Sequence, residues 1–192
     1  MTTSKVVAAL LEREGLTPLL AARELGQEPP TGAAELLGNC DILALGAAAN
    51  VVRRRECGDE ARVYVPVPPP ASAGVVVLTS SETARGTALL RRIAELRLLG
   101  PIGLRIVIDA GSLGLEIAQV ALSFGASDLA TPTASRRGLP MALEAYAKTL
   151  VKRREIAAYV ERAGYAPVFV SEGHASTRED PVDSPSRANV DS

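Results

Sequence analysis

The segments Gly74-Val-Val-Val-Leu-Thr79 and Leu104-Arg-Ile-Val-Ile-Asp109 decide the fold class of this 192-residue chain. Both are runs of β-branched residues, and the stretch between them, Glu82 to Leu99, has apolar residues at helical spacing. Val75 to Leu78 is apolar without alternation, as in a strand that is covered on both faces. Thr79 and Glu82 have the spacing of a capping box, which predicts where the helix begins. A strand, a helix and a strand at this spacing predict a parallel sheet.

Further strands and helices extend this unit in both directions. Strands are predicted at Arg62 to Val67 and Ala166 to Val170, and helices at Leu113 to Phe124, Met141 to Leu150 and Arg154 to Arg162. The predicted fold is therefore α/β, with a small, mostly parallel, open sheet of three to five strands flanked by helices.

The front third of the chain is predicted to be entirely helical. Glycine, proline and capping residues delimit helices at Ser4 to Arg13, Thr17 to Leu25, Thr31 to Leu37 and Asp41 to Gly58. We expect residues 1–60 to pack on a reduced α/β core formed by residues 61–170 of the same domain. Residues 171–192 are rich in Ser, Asp, Arg and Pro without apolar periodicity, which predicts a disordered tail.

The composition excludes several classes of partner. Lys and Arg total 21 against 22 for Asp and Glu, so no charge excess points to nucleic acid or to an anionic membrane. The apolar run near the N-terminus is too short for a signal sequence or a membrane span, and we expect a cytoplasmic protein. Two cysteines, Cys40 and Cys57, do not form a disulfide scaffold and are expected to be reduced thiols.

Three blocks of sequence share their order with a known enzyme family. Asp41, Leu43, Leu45, Gly46, Ala49, Val52, Arg53, Gly58 and Asp59 fit a helix of the form D-L-L-x-L-G-x-x-A-x-x-V-R-x-x-x-x-G-D. The segment from Ala118 to Leu129 fits A-Q-x-A-L-x-F-G-A-x-D-[LI], and the segment from Glu155 to Val168 contains I-x-x-A-G-x-x-P-V in looser form. In these blocks the chain resembles the radical S-adenosylmethionine (SAM) enzymes of the futalosine route to menaquinone, aminofutalosine synthase and cyclic dehypoxanthine futalosine synthase.

The resemblance implies a (β/α) barrel that has been shortened and has lost its cluster. The strand after the first block should lead to a CxxxCxxC loop, but Pro68-Pro-Pro70 follows it here. A cluster that cleaves SAM needs three cysteine thiolates on one short loop, and this chain has two cysteines, placed far apart. A complete barrel needs about 200 residues or more. We therefore expect a partial barrel with no metal, no cofactor and no inherited catalytic residues.

The sequence contains one candidate ligand site, at the carboxyl end of the predicted sheet. Asp109 ends a strand, and Gly111 and Ser112 follow it in a turn that leads to a helix, where α/β proteins bind anionic ligands. Arg136 and Arg137 lie in a loop at the same end, and Asp128 occupies the acidic position of the second family block. The structural alternative is that Gly111 and Gly114 form the turn and Ser112 caps the helix.

Other candidates for chemistry are weaker. The single histidine, His174, lies in the predicted tail, where it cannot serve a fixed catalytic triad. Arg53, Arg54 and Arg55 form a run near a helix C-terminus, which could face a phosphate or an acidic partner but is typical of a solvated face.

Two function classes follow. The leading hypothesis is a non-catalytic binding, scaffolding or regulatory subunit that forms homo-oligomers or a complex with another protein, because a shortened barrel leaves strand edges and apolar surface to cover. The alternative is a small enzyme that binds a nucleoside or a phosphate around Asp109.

Overall fold

The computed structural model describes residues 4–65, 68–70, 72, 74–80, 86–131 and 152–171. Its described front third is helical, as predicted, and the helices are Lys5–Arg13 (α1), Thr17–Glu24 (α2), Ala33–Asn39 (α3) and Ile42–Cys57 (α4). Asp41 caps α4 by accepting hydrogen bonds from the backbone N–H groups of Leu43 and Ala44.

The rest of the described chain alternates strands and helices. The strands are Glu60–Val65 (β1), Val75–Leu78 (β2), Arg105–Asp109 (β3), Asp128–Ala130 (β4) and Ala166–Ser171 (β5). The helices between them are Thr87–Leu99 (α5), Ala110–Leu113 (α6), Leu115–Ser123 (α7) and Arg153–Arg162 (α8). The predicted α/β class is confirmed.

The five strands form one parallel sheet in the order β2-β3-β4-β1-β5. Strands β2, β3 and β4 are neighbours in chain order, as the strands of a (β/α) barrel are. Strand β1 instead lies between β4 and β5. The sheet is open, because β2 and β5 lie at its two ends and do not pair with each other.

One face of the sheet packs against helices. Side chains alternate between the two faces of a strand, and one alternating set forms an apolar core with residues of α5, α7 and α8. The strand residues of this core are Ala61, Val63, Leu78, Ile106, Ile108 and Leu129. A second apolar core lies among α1 to α4 and reaches α5 through Ala94 and Leu98. Helix α5 therefore joins the helical front third to the sheet.

The alternate strand side chains point to the opposite face of the sheet. Among the described residues, the apolar members of this set belong to neither core. Val107 and Ala130 at its centre are fully buried, whereas the members on the outer strands and Tyr64 on β1 are partly exposed. On this opposite face, the partly exposed residues of β2 and β5 are Val75, Val77, Val168 and Val170. We call these four valines and Tyr64 the second face.

Several predicted boundaries need correction. Helix α5 begins at Thr87 because Gly86, with φ of 56°, is not helical, and Glu82 lies outside the described residues. The predicted helix from Leu113 to Phe124 is replaced by two helices, α6 and α7, which Gly114 separates at φ of 92°. Strand β1 begins at Glu60 rather than at Arg62, and Val67 lies outside the described residues.

Two further differences concern the end of the chain. Strand β5 extends to Ser171, which pairs with Val65, so the tail predicted for residues 171–192 begins after this residue at the earliest. Residues 172–192 and the helix predicted from Met141 to Leu150 lie outside the described residues.

The described helices are short. The longest is α4, with 16 residues that include three arginines, and no described helix has the length and hydropathy of a bilayer span.

Candidate functional site

The carboxyl ends of the parallel strands meet at one edge of the sheet, where α/β proteins usually bind ligands. Asp109 ends β3 and is in register with Ala130 of β4. Leu78 ends β2 and is in register with Ile108. The structure therefore places Asp109 at the predicted edge, beside the end of β2.

Asp109 is a helix cap in this structure. Its Oδ1 accepts a hydrogen bond from the N–H of Gly111 at 3.0 Å, which satisfies one of the free N–H groups at the start of α6. Gly111 lies within α6, and Gly114 alone of the two glycines has a left-handed φ. The sequence alternative, in which Gly111 and Gly114 form the turn and Ser112 caps the helix, is therefore correct for Gly114. It is wrong for Gly111, which lies in α6, and for Ser112, since Asp109 is the cap.

Ser112 connects the loops that follow β2 and β3. Its Oγ donates to the carbonyl oxygen of Asp109 at 3.2 Å and accepts a hydrogen bond from the N–H of Ser80 at 3.1 Å. The hydroxyl is thus used within the protein and is also exposed, since Ser112 lies on the surface.

A pocket of about 300 Å³ opens beside these loops. It is lined by Ser80, Gly86, Leu89, Ser112, Leu113 and Ile117. Among the described residues, the lining is aliphatic with two serines and includes no ionisable side chain. This pocket can hold a small ligand with an apolar body and a hydroxyl or carbonyl group.

Asp128 does not join Asp109. It is fully buried at the start of β4, in register with Val107, two residues before the position of Asp109. Its carboxylate accepts two hydrogen bonds from the Arg105 guanidinium, one of them from Nε to Oδ2 at 2.6 Å. It also accepts a hydrogen bond from the backbone N–H of Arg62 at 3.0 Å. Ser127 Oγ also donates to it. Asp128 therefore fastens β1, β3 and β4 together and has little capacity left for a ligand.

The Arg105–Asp128 pair is electrostatically favourable in spite of its burial. Burial lowers the pKa of Arg105, but the hydrogen bonds and the negative charge of Asp128 outweigh burial and leave the pKa raised. Arg136 and Arg137, the remaining predicted site residues, lie outside the described residues.

Arg53 is the clearest error of the sequence prediction, because its side chain is fully buried and not solvated. The guanidinium donates to the carbonyl oxygens of Gly58, Glu60, Ala126 and Ser127. It also lies 3.6 Å from the ring centroid of Tyr165. Burial lowers the pKa of Arg53, and the interaction with Tyr165 opposes this shift. The side chain thus joins α4 to β1 and to the loop before β4.

A second buried arginine holds the same loop. Arg97 of α5 donates from Nε to the carbonyl oxygen of Gly125 at 2.9 Å and from Nη1 to Glu56 at 3.1 Å. Glu56 also accepts hydrogen bonds from Arg23 Nε at 2.7 Å and from the backbone N–H of Gly103 at 3.0 Å. We call Arg23, Glu56 and Arg97 the charged triad. Among the described buried side-chain atoms, Arg97 Nη2 has no hydrogen-bond partner.

The sequence did contain a signal for these residues. Leu45, Ala49, Val52 and Arg53 recur at helical spacing, so Arg53 continues the apolar stripe of α4. A charged residue on such a stripe must be buried with partners. Arg55 lies at the other margin of the stripe, three residues after Val52, and is exposed, so the spacing alone does not distinguish it from Arg53.

The two cysteines lie at the two ends of α4. Cys40 is buried before α4, while Cys57 ends the same helix and is partly exposed. Within the described ranges, no three His, Cys, Asp or Glu side chains lie close enough to hold a metal ion. Comparisons of the chain with protein-family models, with curated proteins and with solved structures find no match.

Proposed function

We propose that this protein is a non-catalytic relative of the radical SAM enzymes of the futalosine route and serves as a binding subunit for another protein. Its ancestry is supported by the order of the three sequence blocks. The loss of radical SAM catalysis is supported by the cysteines, which number two and lie at the two ends of α4, whereas the cluster needs three on one short loop.

The observation that carries the binding function is the second face of the sheet. Parallel sheets are normally covered by helices on both faces, because their strands are apolar on both sides. Here the second face presents four partly exposed valines and Tyr64, and β2 and β5 are the two edges of the open sheet. A partner that covers the second face would bury this apolar surface.

The chemistry of the second face defines the partner. Glu60 and Arg62 on β1 are exposed and alternate with Ala61 and Val63, so both lie on the same side as Tyr64. An amphipathic helix with an aliphatic stripe, an acidic residue for Arg62 and a basic residue for Glu60 would suit this surface. A full-length radical SAM enzyme of the same route has helices on its surface and is the partner that we propose to test.

The test mixes the purified chain with a full-length aminofutalosine synthase and measures complex formation by sedimentation velocity. Val77→Lys and Val168→Lys should abolish the complex, because each places a charge on the second face. Val6→Lys is the matched control, since Val6 is 78% exposed on α1. No complex with the wild-type chain, or equal binding by all three variants, would refute the proposal.

Thermal unfolding of the same variants shows whether the second face is free to bind a partner or is covered by residues of the chain itself. If the second face is exposed in the free protein, the two lysine variants should melt within a few degrees of the wild type, because surface substitutions usually change stability by about 0.5 kcal/mol or less. A large loss of stability in the isolated chain would mean that the protein covers this face itself, which contradicts the proposal.

The pocket beside Ser112 favours a second candidate, the binding of a small ligand such as a nucleoside or a phosphate ester. The loops after β2 and β3 meet there, and Ser80 and Ser112 give it polar groups. Adenosine, inorganic phosphate and SAM should then raise the melting temperature of the wild-type protein. Asp109→Asn and Ser112→Ala should remove the increase, whereas Ser123→Ala at the far end of α7 should keep it. Unchanged melting with all three compounds would exclude this candidate.

A further inference from the structure

A second pocket lies far from the candidate ligand site, between the end of α2, the end of α4 and the loop from α5 to β3. Its volume is about 380 Å³, and Leu25, Val52 and Ile102 supply its apolar surface. Leu25 is 70% exposed and Ile102 is 62% exposed. These are large side chains from distant parts of the sequence, placed side by side at the surface. We call Leu25, Ile102, Glu24 and Arg55 the α2 patch.

The α2 patch is held in place by a buried polar side chain. Arg23, whose side chain is 9% exposed, donates to Glu56 at 2.7 Å, to the carbonyl oxygen of Pro101 at 3.1 Å and to that of Gly100. These bonds fix the loop that carries Ile102 against the end of α2. Gly26 follows with φ of +66°, and a Cβ there would lie 3.8 Å from Ile102 Cδ1. The two exposed aliphatic side chains are therefore preorganised.

The rim of the α2 patch carries one acid and one base. Glu24 and Arg55 pair with each other at 3.1 Å, and their side chains are 59% and 46% exposed. An exposed pair of this kind contributes little to stability, so either residue can exchange its partner at low cost.

We propose that the α2 patch binds the α2 patch of a second copy of this chain across a two-fold axis. In such a contact the same surface meets itself, so the surface must be self-complementary. Leu25 and Ile102 would pack on their equivalents, and Glu24 of each copy would meet Arg55 of the other. Apolar anchors surrounded by a polar rim are typical of protein interfaces. A small ligand suits the α2 patch less well, because ligand pockets enclose most of the molecule that they bind.

The first experiment measures the sedimentation of the full chain over about a hundredfold range of concentration, since dimer formation follows mass action. The wild type should shift from monomer to dimer, and Leu25→Lys or Ile102→Lys should remain monomeric. Leu43→Lys is the matched control, because Leu43 is 68% exposed at the opposite end of α4. A monomeric wild type, or a Leu25→Lys variant that dimerises as well as Leu43→Lys, would overturn the proposal.

The second experiment tests the two-fold charge exchange. Glu24→Arg leaves two bases on the α2 patch, and Arg55→Glu leaves two acids, so each variant alone should dimerise at least about tenfold more weakly than the wild type, as like charges meet across the axis. An equal mixture of the two variants brings bases against acids and should form a mixed dimer. A mixture that associates no better than its components would overturn the two-fold arrangement.

This surface is independent of the second face. Val77→Lys and Val168→Lys should leave the dimer intact, and Leu25→Lys should still bind the full-length enzyme as a monomer. Loss of one interaction without the other therefore identifies which of the two proposals has failed.

Discussion

Arg53 shows what a single residue contributes to this fold. Its guanidinium satisfies four backbone carbonyl groups from two separate segments of the chain, and it has no exposure to solvent. Arg53→Ala leaves these carbonyl groups without their donor, and we expect a loss of about 3 to 5 kcal/mol in the free energy of unfolding. Urea titration followed by circular dichroism measures this loss.

Arg13→Ala is the control for this prediction. Arg13 is exposed and pairs with Glu14 on the surface at 3.2 Å, so its removal should cost less than about 1 kcal/mol. Equal effects of the two substitutions would contradict the structural role assigned to Arg53.

Cys40 and Tyr165 predict how stability changes with pH. Burial raises the pKa of the Cys40 thiol above its ordinary value of 9.0, partly opposed by Arg91, and raises the pKa of Tyr165 above 10.0, opposed by Arg53. The folded protein therefore keeps both protons at a pH where the unfolded chain has released them. The stability contribution is complete below pH 9.0, and it is lost as the pH rises through the raised values.

The free energy of unfolding should accordingly fall over an interval that begins at pH 9.0 and extends beyond pH 10.0, when it is measured by urea titration under reducing conditions. Cys40→Ala should make the first part of this decline shallower, whatever its effect on stability at neutral pH. A wild-type stability that does not change over this interval would contradict the burial of both groups.

At the scale of elements, the start of α4 depends on one side chain. Asp41 accepts hydrogen bonds from Leu43 at 2.8 Å and from Ala44 at 3.2 Å. Asp41→Ala should lower the free energy of unfolding by about 1 kcal/mol. Ser4 occupies the same position before α1 without a side-chain hydrogen bond, so Ser4→Ala should have almost no effect in the same thermal or urea measurement. A neutral Asp41→Ala would show that packing alone fixes this helix.

The sequence predicts the type of most described elements but misses β4. Long elements such as α4 and α5 have enough residues to show a period, and the runs at β2 and β3 are β-branched. Strand β4 has three residues, all buried, and begins with a charged one. So short a strand shows no period, and its position in the sheet is set by partners elsewhere in the chain.

Of the residues predicted for the candidate site, Asp109 lies at the expected edge of the sheet and Asp128 does not. A strand that ends in Asp109 and is followed by glycine indicates the carboxyl edge of the sheet, and the structure places Asp109 there. Asp128 was grouped with it because it occupies the acidic position of the second family block. Its actual partner is Arg105, and no local pattern distinguishes a carboxylate that binds a ligand from one that pairs with an arginine on the neighbouring strand.

At the scale of the whole molecule, the charged triad joins the helical front third to the sheet. Glu56 of α4 binds Arg23 of α2, Arg97 of α5 and the loop before β3. Glu56→Ala leaves two buried arginines without their carboxylate and should cost about 3 to 5 kcal/mol. Because α5 belongs to both apolar cores, calorimetry should still show one unfolding transition at a lower temperature.

Glu35→Ala, which removes an exposed acid from α3, is the control and should leave the melting temperature nearly unchanged. Two separated transitions in the wild type would mean that the front third and the sheet are distinct folding units.

The position of β1 in the sheet also determines the order in which the protein can fold. Among the described strands, β1 is synthesised first, but its neighbours in the sheet are β4 and β5. Arg62 of β1 cannot pair with Asp128 of β4 until a further 66 residues have been made. Such distant pairing lowers the folding rate, because a long loop must close before the pairing contributes any stability. During synthesis β1 therefore emerges with both of its edges unpaired. A nascent chain that stops before β4 should need a chaperone to stay unaggregated, and the protein should reach its native state only after the ribosome has released β5.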